Sequence, residues 1–347
     1  MIKLDIEARA LVEKCQGASL GILASPFIVF GEMPNWSFLT FRSEADVIAF
    51  RNTMLSTWNK CPRAFYWFMR RLDPADTAAY FTYGRACGVI LNTWHSTQGE
   101  LPPDVRFRMA LEEGEKEWLK DLPEEYGDNT WDGLQLLFQH YRLVYGDEEL
   151  WTYPYKTGEL GFTVPIPGTP YLYGGSIDAA IQWKNYGIFI REDKTTGGYI
   201  TDSFLNQWDH ASQVAGYIWA MEEVLGSPIQ GVLMNVLSKK KRKAGDENLR
   251  FSRPMVTKSA FKREHFIQET VRLIQEIERE YNLWEWPKYG ERDPINCAGG
   301  MGRSACPYRR LCLLDQDPWD FPENFDYGPG LHFREAWAPW DRAGENE

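Results

Sequence analysis

Cysteine is scarce in this chain, six in 347 residues, and so sparse a set at this length argues against a disulfide framework. No apolar run reaches bilayer-spanning length and no signal peptide is evident, so the expectation is a protein with no membrane association. No Gly-x-x-x-x-Gly-Lys-Ser/Thr loop is present, so ATP-driven work would need a partner. Internal repeats and long low-complexity tracts are missing too. Positive charge is in deficit, 38 Lys and Arg against 49 Asp and Glu, a net charge of −11. A body of that sign is ill suited to broad nonspecific duplex binding, which depends on neutralising phosphates. Any contact with nucleic acid must follow a local basic path.

What is present suffices for a sizeable core: 44% of residues are hydrophobic and fifteen are tryptophan. Most of those tryptophans are expected in the core, with some free to stack on unpaired bases. The most informative stretch is Gly175-Ser176-Ile177-Asp178, followed by Glu192-Asp193-Lys194-Thr195-Thr196. Residues 171–183 and 187–194 read as aromatic and β-branched strands joined through Lys184-Asn185-Tyr186-Gly187. Side chains alternate along a strand, so Ile188, Ile190, Glu192 and Lys194 share one face, and Phe189 and Asp193 the other. A hairpin loop of three or five residues sets Asp178 directly opposite Glu192; a loop of two or four separates them. The odd loop is the expectation.

Two carboxylates brought together repel unless a divalent cation lies between them, and oxygen ligands suit Mg²⁺ or Mn²⁺. Such an ion lowers the pKa of a bound water and polarises a phosphoryl oxygen, and Lys194 is placed to steady the developing charge. The alternative is a surface hairpin carrying a salt bridge, because an Asp…Glu-x-Lys pattern alone is weak.

Residues 201–225 read as a helix capped by Asp202 and Ser203, with Leu205, Trp208, Ser212, Ala215 and Trp219 at helical spacing. Gln213 and Tyr217 fall on one face, one turn apart. An amide beside a hydroxyl suits a phosphate, a base edge or a site water; an ordinary half-buried helix face is the alternative.

Gly-x-Ile-Asp178, Glu192-x-Lys194-Thr and Gln213-x-x-x-Tyr217, in this order, resemble the PD-(D/E)XK nuclease superfamily. The branch they resemble within it is that of the RecB-type exonucleases, with CRISPR-associated adaptation nucleases, AddB subunits and phage homologues. The resemblance runs from about Ser56 to Cys312. It implies an α/β, restriction-endonuclease-like core in which a mixed central sheet is flanked by helices. It further implies Asp178, Glu192 and the backbone carbonyl of Asp193 as Mg²⁺ or Mn²⁺ ligands, Lys194 as the catalytic lysine, and Gln213 and Tyr217 on the nucleic-acid side.

Cys61 early and Cys297, Cys306 and Cys312 late also resemble that branch, in which four cysteines hold a 4Fe–4S cluster that ties the chain ends across the core. Four thiolates suit iron–sulfur or zinc, and unligated buried cysteines are the third possibility. One position departs from the family pattern. Relatives carry Gly-x-x-His as a further metal ligand, whereas Gly84-Arg85-Ala86-Cys87 puts a cysteine there. A soft thiolate is a poor Mg²⁺ ligand. His95, the alternative ligand, lies eight residues on, roughly 10 Å or more along a helix axis.

Length alone suggests about two domains, but the matching segments interleave. The expected organisation is an N-terminal extension (1–50), a nuclease core (51–317) with a helical insertion at about 101–150, and an irregular acidic, aromatic tail (318–347). In the insertion Glu112, Glu113, Glu115 and Glu117 read as a solvated face. Leu20–Leu23 and Phe27–Phe30 read as strands of the extension. Ser238-Lys239-Lys240-Lys241-Arg242-Lys243, between two strand-like segments, is either a basic path for a phosphate backbone or an exposed turn.

The resemblance implies a DNA exonuclease acting on single strands or duplex ends in recombination, repair or phage DNA processing. A helicase, annealing protein or recombinase is the implied partner, and bacterial or phage-infected cytoplasm the implied compartment. Two alternatives stay open: a catalytically weak DNA-end-binding module, favoured by Cys87, and a zinc-stapled structural subunit.

Overall fold

Short aromatic and β-branched segments over residues 172–196 and a near-continuous apolar run over 229–238 make strands, and helical periodicity dominates 79–145 and 202–225; the chain folds accordingly into α/β structure. The computed structural model describes residues 49–69, 72–74, 79–120, 122, 127–146, 160–183, 185–280, 297–299, 305–312 and 331–333. The strands expected at Leu20–Leu23 and Phe27–Phe30 and most of the tail lie outside these. In chain order the elements are β1 (Ala49–Phe50), α1 (Asn52–Lys60), α2 (Pro62–Met69), β2 (Leu72–Pro74), α3 (Ala79–Ser96), α4 (Pro103–Leu119) and α5 (Trp131–Tyr145). Then come β3 (Leu160–Pro165), β4 (Leu172–Ile177), β5 (Ala179–Gln182), β6 (Ile188–Thr196), α6 (Asp202–His210), α7 (Ser212–Leu225) and β7 (Ile229–Ser238). The last are β8 (Phe251–Ser252), β9 (Met255–Val256), α8 (Ala260–Glu280), α9 (Arg309–Cys312) and β10 (Leu331–Phe333).

The chain divides into two compact units, one including Thr77–Phe162 and Ser176–Glu264, the other Ala18–Asp76, Thr163–Gly175 and His265–Glu347. The first unit is built on a mixed sheet. β6 and β7 run parallel, β5 is antiparallel to β6, and β8 and β9 are antiparallel to β7. β6 and β7 carry long buried runs, as strands covered on both faces do.

The segment expected as a helical insertion packs into a buried cluster with α3. Helices α3, α4 and α5 contribute Ile90, Leu91, Trp94, Ala110, Leu134, Leu137, Phe138 and Tyr141 to one buried cluster that also takes Leu237 and Phe251 from the sheet. α4 sits so close to α3 that a Cβ on Gly114 would lie 2.3 Å from Ile90 Cγ1. Arg106 closes the end of α3, donating to the Trp94 carbonyl at 2.7 Å and lying over the Trp94 ring; a cation there offsets the unpaired carbonyls of a helix C-terminus. Glu112 and Glu115 are exposed, as expected of a solvated face. Glu117 instead pairs with Arg85 at 3.3 Å and Lys120 at 3.1 Å.

In the second unit β1 pairs parallel with β4, opposite Leu172 and Tyr173. Trp58 Nε1 donates to Glu276 at 3.0 Å, and the Tyr171 hydroxyl donates to Glu278 at 2.5 Å. Residues 331–333, expected as irregular tail, form β10, antiparallel to β2. No described helix is long and apolar enough to cross a membrane.

Candidate active site

The hairpin of β5 and β6 sets the site. Its ladder runs Gln182 to Ile188, Ile181 to Phe189, Ala180 to Ile190 and Ala179 to Arg191, and the Trp183 N–H donates to the Gly187 carbonyl at 3.0 Å. Three residues intervene, the odd length, and the register carries Asp178 opposite Glu192. The single strand expected over 171–183 is two strands. The break falls at Asp178, because its carboxylate takes the next ladder bond itself: Oδ2 accepts the Asp193 N–H at 2.6 Å.

Glu192 and Lys194 share a face of β6, and Lys194 Nζ donates to Glu192 Oε1 at 2.5 Å. Glu192 is nearly buried and Lys194 about one-third exposed. Burial pushes the Asp178 carboxyl well above its ordinary range, and the Glu192 and Asp193 charges push it further. Burial works against the Lys194 ammonium, but Glu192 and Asp178 outweigh it and hold the lysine protonated. In an extended strand the N–H and C=O of a residue point toward the same neighbour. The Asp193 carbonyl therefore faces the Asp178 side, beyond the last β5–β6 pair.

The other face of β6 holds a buried polar network that sequence reasoning missed. Arg191, fully buried, donates to Asp193 Oδ2 at 2.9 Å and also to Asn92. Asn235 Nδ2 donates to Asp193 Oδ1 at 2.7 Å and to the Tyr141 hydroxyl at 3.2 Å. Arg253 donates to Tyr141 at 2.7 Å and to Asn235 at 3.2 Å. An Arg-x-Asp pair on one face of a buried strand was the signal available; its partners come from distant segments. Asp193 is thereby anchored by its side chain while its main chain faces Asp178.

His95 belongs to this network. Its Nε2 hydrogen-bonds the Tyr141 hydroxyl at 2.8 Å, and burial with the Arg191, Arg253 and Arg106 charges holds its pKa well below the imidazole range. His95, the expected further metal ligand, thus lies against Tyr141, eight residues beyond Cys87 on the unbroken α3. Cys87 instead feels the charges of Asp193 and Asp178, and burial followed by those charges raises its thiol pKa. It is a neutral thiol near the acidic pair.

Gln213 and Tyr217 meet as spaced, Gln213 Nε2 donating to the Tyr217 hydroxyl at 2.6 Å. The helix expected over 201–225 is two, broken at Ala211, and the cap is Thr201, whose side chain accepts the Phe204 N–H at 3.2 Å. The Lys258 ammonium donates to the Asp209 carbonyl at 2.5 Å at the end of α6. The cation run leaves β7 and returns through β8, as the flanking strands implied. Lys240, Lys241 and Lys243 are exposed, whereas Lys239 donates to Asn129 and covers the Tyr83 ring.

Cys61, Cys297, Cys306 and Cys312 lie in the second unit. Cys61 ends α1 and starts α2, the Cys306 N–H donates to the Cys297 carbonyl at 3.2 Å, and the Cys312 N–H donates to the Tyr308 carbonyl at 3.1 Å. Burial, then the charges of Cys306, Cys61 and Cys297, push the Cys312 thiol up to about 12 against the pull of Arg63. The four sulfurs thus share one field, though no three His, Cys, Asp or Glu side chains among the described residues form a ready-made metal cage. Four cysteines are the donor set of a group held by thiolates, while burial, the first cause of the Cys312 shift, works against the thiolate form. On the acidic side, two carboxylates and a carbonyl fit Mg²⁺ or Mn²⁺, which keep several waters rather than fill an all-protein cage.

Comparison with protein families gives a match to the PD-(D/E)XK nuclease superfamily over residues 52–313. Comparison with curated proteins finds no match. Among solved structures, a "Putative exonuclease" from Eubacterium rectale is similar over 80% of this chain and 94% of its own, with 9% identity and a TM-score of 0.45. The structure of SSO0001 is similar over 57% of this chain and 85% of its own, with 12% identity and a TM-score of 0.28.

Proposed function

Because the chain belongs to the PD-(D/E)XK nuclease superfamily, we propose that it is a metal-dependent DNA exonuclease that hydrolyses phosphodiester bonds of single-stranded or end-exposed DNA. The observation that carries this is the Asp178 carboxylate, held at 2.6 Å by the Asp193 N–H next to Glu192, with Lys194 at 2.5 Å from Glu192 on the same strand face. Asp178, Glu192 and the Asp193 carbonyl would hold Mg²⁺ or Mn²⁺. That ion, when bound, lowers the pKa of a water and polarises a phosphoryl oxygen. Lys194 keeps its proton at Nζ and offers it to the charge that develops on the phosphate. Gln213 and Tyr217 present an amide and a hydroxyl to the nucleic acid.

The late cysteine trio with Cys61 supports a 4Fe–4S staple of the RecB-type branch, holding the second unit together. Bacterial or phage-infected cytoplasm, with a helicase, annealing protein or recombinase as partner, suits such an enzyme. Exonuclease action is tested with linear and circular single-stranded DNA in Mn²⁺. Degradation of the linear form alone supports it, and nicking of the circle makes the protein an endonuclease.

One observation favours a second reading. Cys87, a neutral thiol within the field of Asp178, stands where relatives place a histidine ligand, and a site so depleted suits a DNA-end-binding module with weak catalysis. Binding of ends without cleavage in either metal would select it.

A further inference from the structure

Beyond the chemistry of Asp178, Glu192 and Lys194, the end of β6 builds a second feature. After Thr196 the chain turns through Gly197-Gly198 to Tyr199, whose ring is 54% exposed. Over that ring lies the Arg242 guanidinium, 4.2 Å from the centroid. Among the described residues the buried Arg242 Nε has no hydrogen-bond partner. Arg242 lies in the cation run, flanked by the exposed Lys241 and Lys243.

The two segments are pinned together. The Lys239 N–H donates to the Thr196 carbonyl at 2.8 Å, Ser238 Oγ donates to the Gly198 carbonyl at 2.7 Å, and the Gly198 N–H donates to Thr196 Oγ1 at 3.1 Å. Tyr199 therefore stands on a braced turn rather than a free loop, as a binding platform should. It follows Lys194 by five residues, at most ~17 Å of chain. Lys239, first of the run, is held by its N–H to Thr196, two residues beyond Lys194 on β6. The basic run thus begins at the end of the strand that carries Glu192 and Lys194, and its Arg242 reaches Tyr199.

We propose that Tyr199 and Arg242 form a stacking clamp for an unpaired base of the strand being cut, with Lys240, Lys241 and Lys243 contacting its phosphates. The inference rests on the nuclease reading and narrows its substrate to single-stranded DNA. An exposed aromatic ring stacks on any base, and a guanidinium adds cation–π attraction and a phosphate donor, so the clamp is indifferent to sequence. A duplex offers no free base face, and on a chain of net charge −11 phosphate contacts alone hold it poorly.

The test is equilibrium binding of poly(dT) and of an abasic strand of equal length, in chelator so that nothing is cut, with wild type, Tyr199→Ala, Tyr199→Trp and Arg242→Ala. Loss of one stacked base weakens poly(dT) binding by Tyr199→Ala on the order of 10-fold. Abasic binding stays unchanged and Tyr199→Trp restores affinity. Equal loss on both strands, or no loss on either, overturns the clamp. So does failure of wild type to prefer poly(dT) over the abasic strand. Melting of each variant checks that the fold is intact. Cleavage by wild type in Mn²⁺ is scored separately: base-dependent binding without cleavage keeps the clamp and removes the nuclease reading, and cleavage without base dependence does the reverse.

Discussion

Asp178 accepts the backbone N–H of Asp193 at 2.6 Å across a separation of fifteen residues. The carboxylate stands where the next main-chain ladder bond would fall, so the same interaction that ends the β5–β6 pairing also fixes the acid beside Glu192. Geometry of the hairpin and placement of the acidic pair are one event.

This has a consequence for pH. Burial, then Glu192 and Asp193, raise the Asp178 carboxyl. A carboxyl raised on folding contributes its stability in full below the unfolded value of about 4, and loses it as pH rises through the raised folded value. Metal-free protein is therefore expected to melt progressively lower across that rise. Asp178→Asn, which keeps an acceptor for the Asp193 N–H, should melt with a flatter pH profile. A divalent cation reverses the local charge balance. Mn²⁺ at ~100-fold over its Kd should stabilise wild type by about 2.7 kcal/mol and leave Asp178→Asn unmoved. Thermal melts with and without Mn²⁺ measure both.

The network behind β6 is expected to hold the strand, not to react. Arg191 and Asp193 are buried together, with side-chain exposures of 0% and 6%. Removing one partner of a buried pair costs about 3–5 kcal/mol. Arg191→Met should destabilise by that order in urea unfolding, while His95→Gln, on the far side of Tyr141, should leave the metal dependence of activity unchanged.

Gly114 is expected to be needed for space. An alanine there would gain about 1 kcal/mol of helix propensity but places its Cβ 2.3 Å from Ile90 Cγ1. Overpacking costs about 1–3 kcal/mol, so Gly114→Ala should be destabilising. In the Ile90→Ala background the same change should turn neutral or favourable, a non-additivity that a double-mutant cycle reads directly.

Much of this was legible in the sequence because it depends on parity. Period-two alternation set Glu192 and Lys194 on one face, and the three residues between Trp183 and Gly187 set Asp178 opposite. Spacing of four put Gln213 and Tyr217 in hydrogen-bond contact. What parity does not carry is contact between distant segments. Nothing local tells that Asp193 will meet Asn235 or that Tyr141 will receive Arg253. For the same reason neither the contact of His95 with Tyr141 nor the packing of α4 and α5 against α3 was legible. The break at Asp178 escaped because a side chain, rather than a turn residue, ends that strand.

Protein purified without oxygen is expected to be brown, with visible thiolate-to-iron absorbance that is lost in Cys306→Ser and Cys312→Ser. Iron analysis checks the same point. A colourless, zinc-loaded protein would make the four-cysteine group a zinc staple.

The most direct measurement is degradation of end-labelled single-stranded DNA in Mg²⁺ and Mn²⁺, wild type beside Lys194→Ala. Removing a group that stabilises transition-state charge costs ~100-fold or more. Metal-dependent digestion by wild type, slowed by at least that factor in Lys194→Ala, is the result predicted. Digestion by both proteins at one rate would contradict Lys194 as the catalytic lysine, and digestion by neither would contradict the nuclease itself.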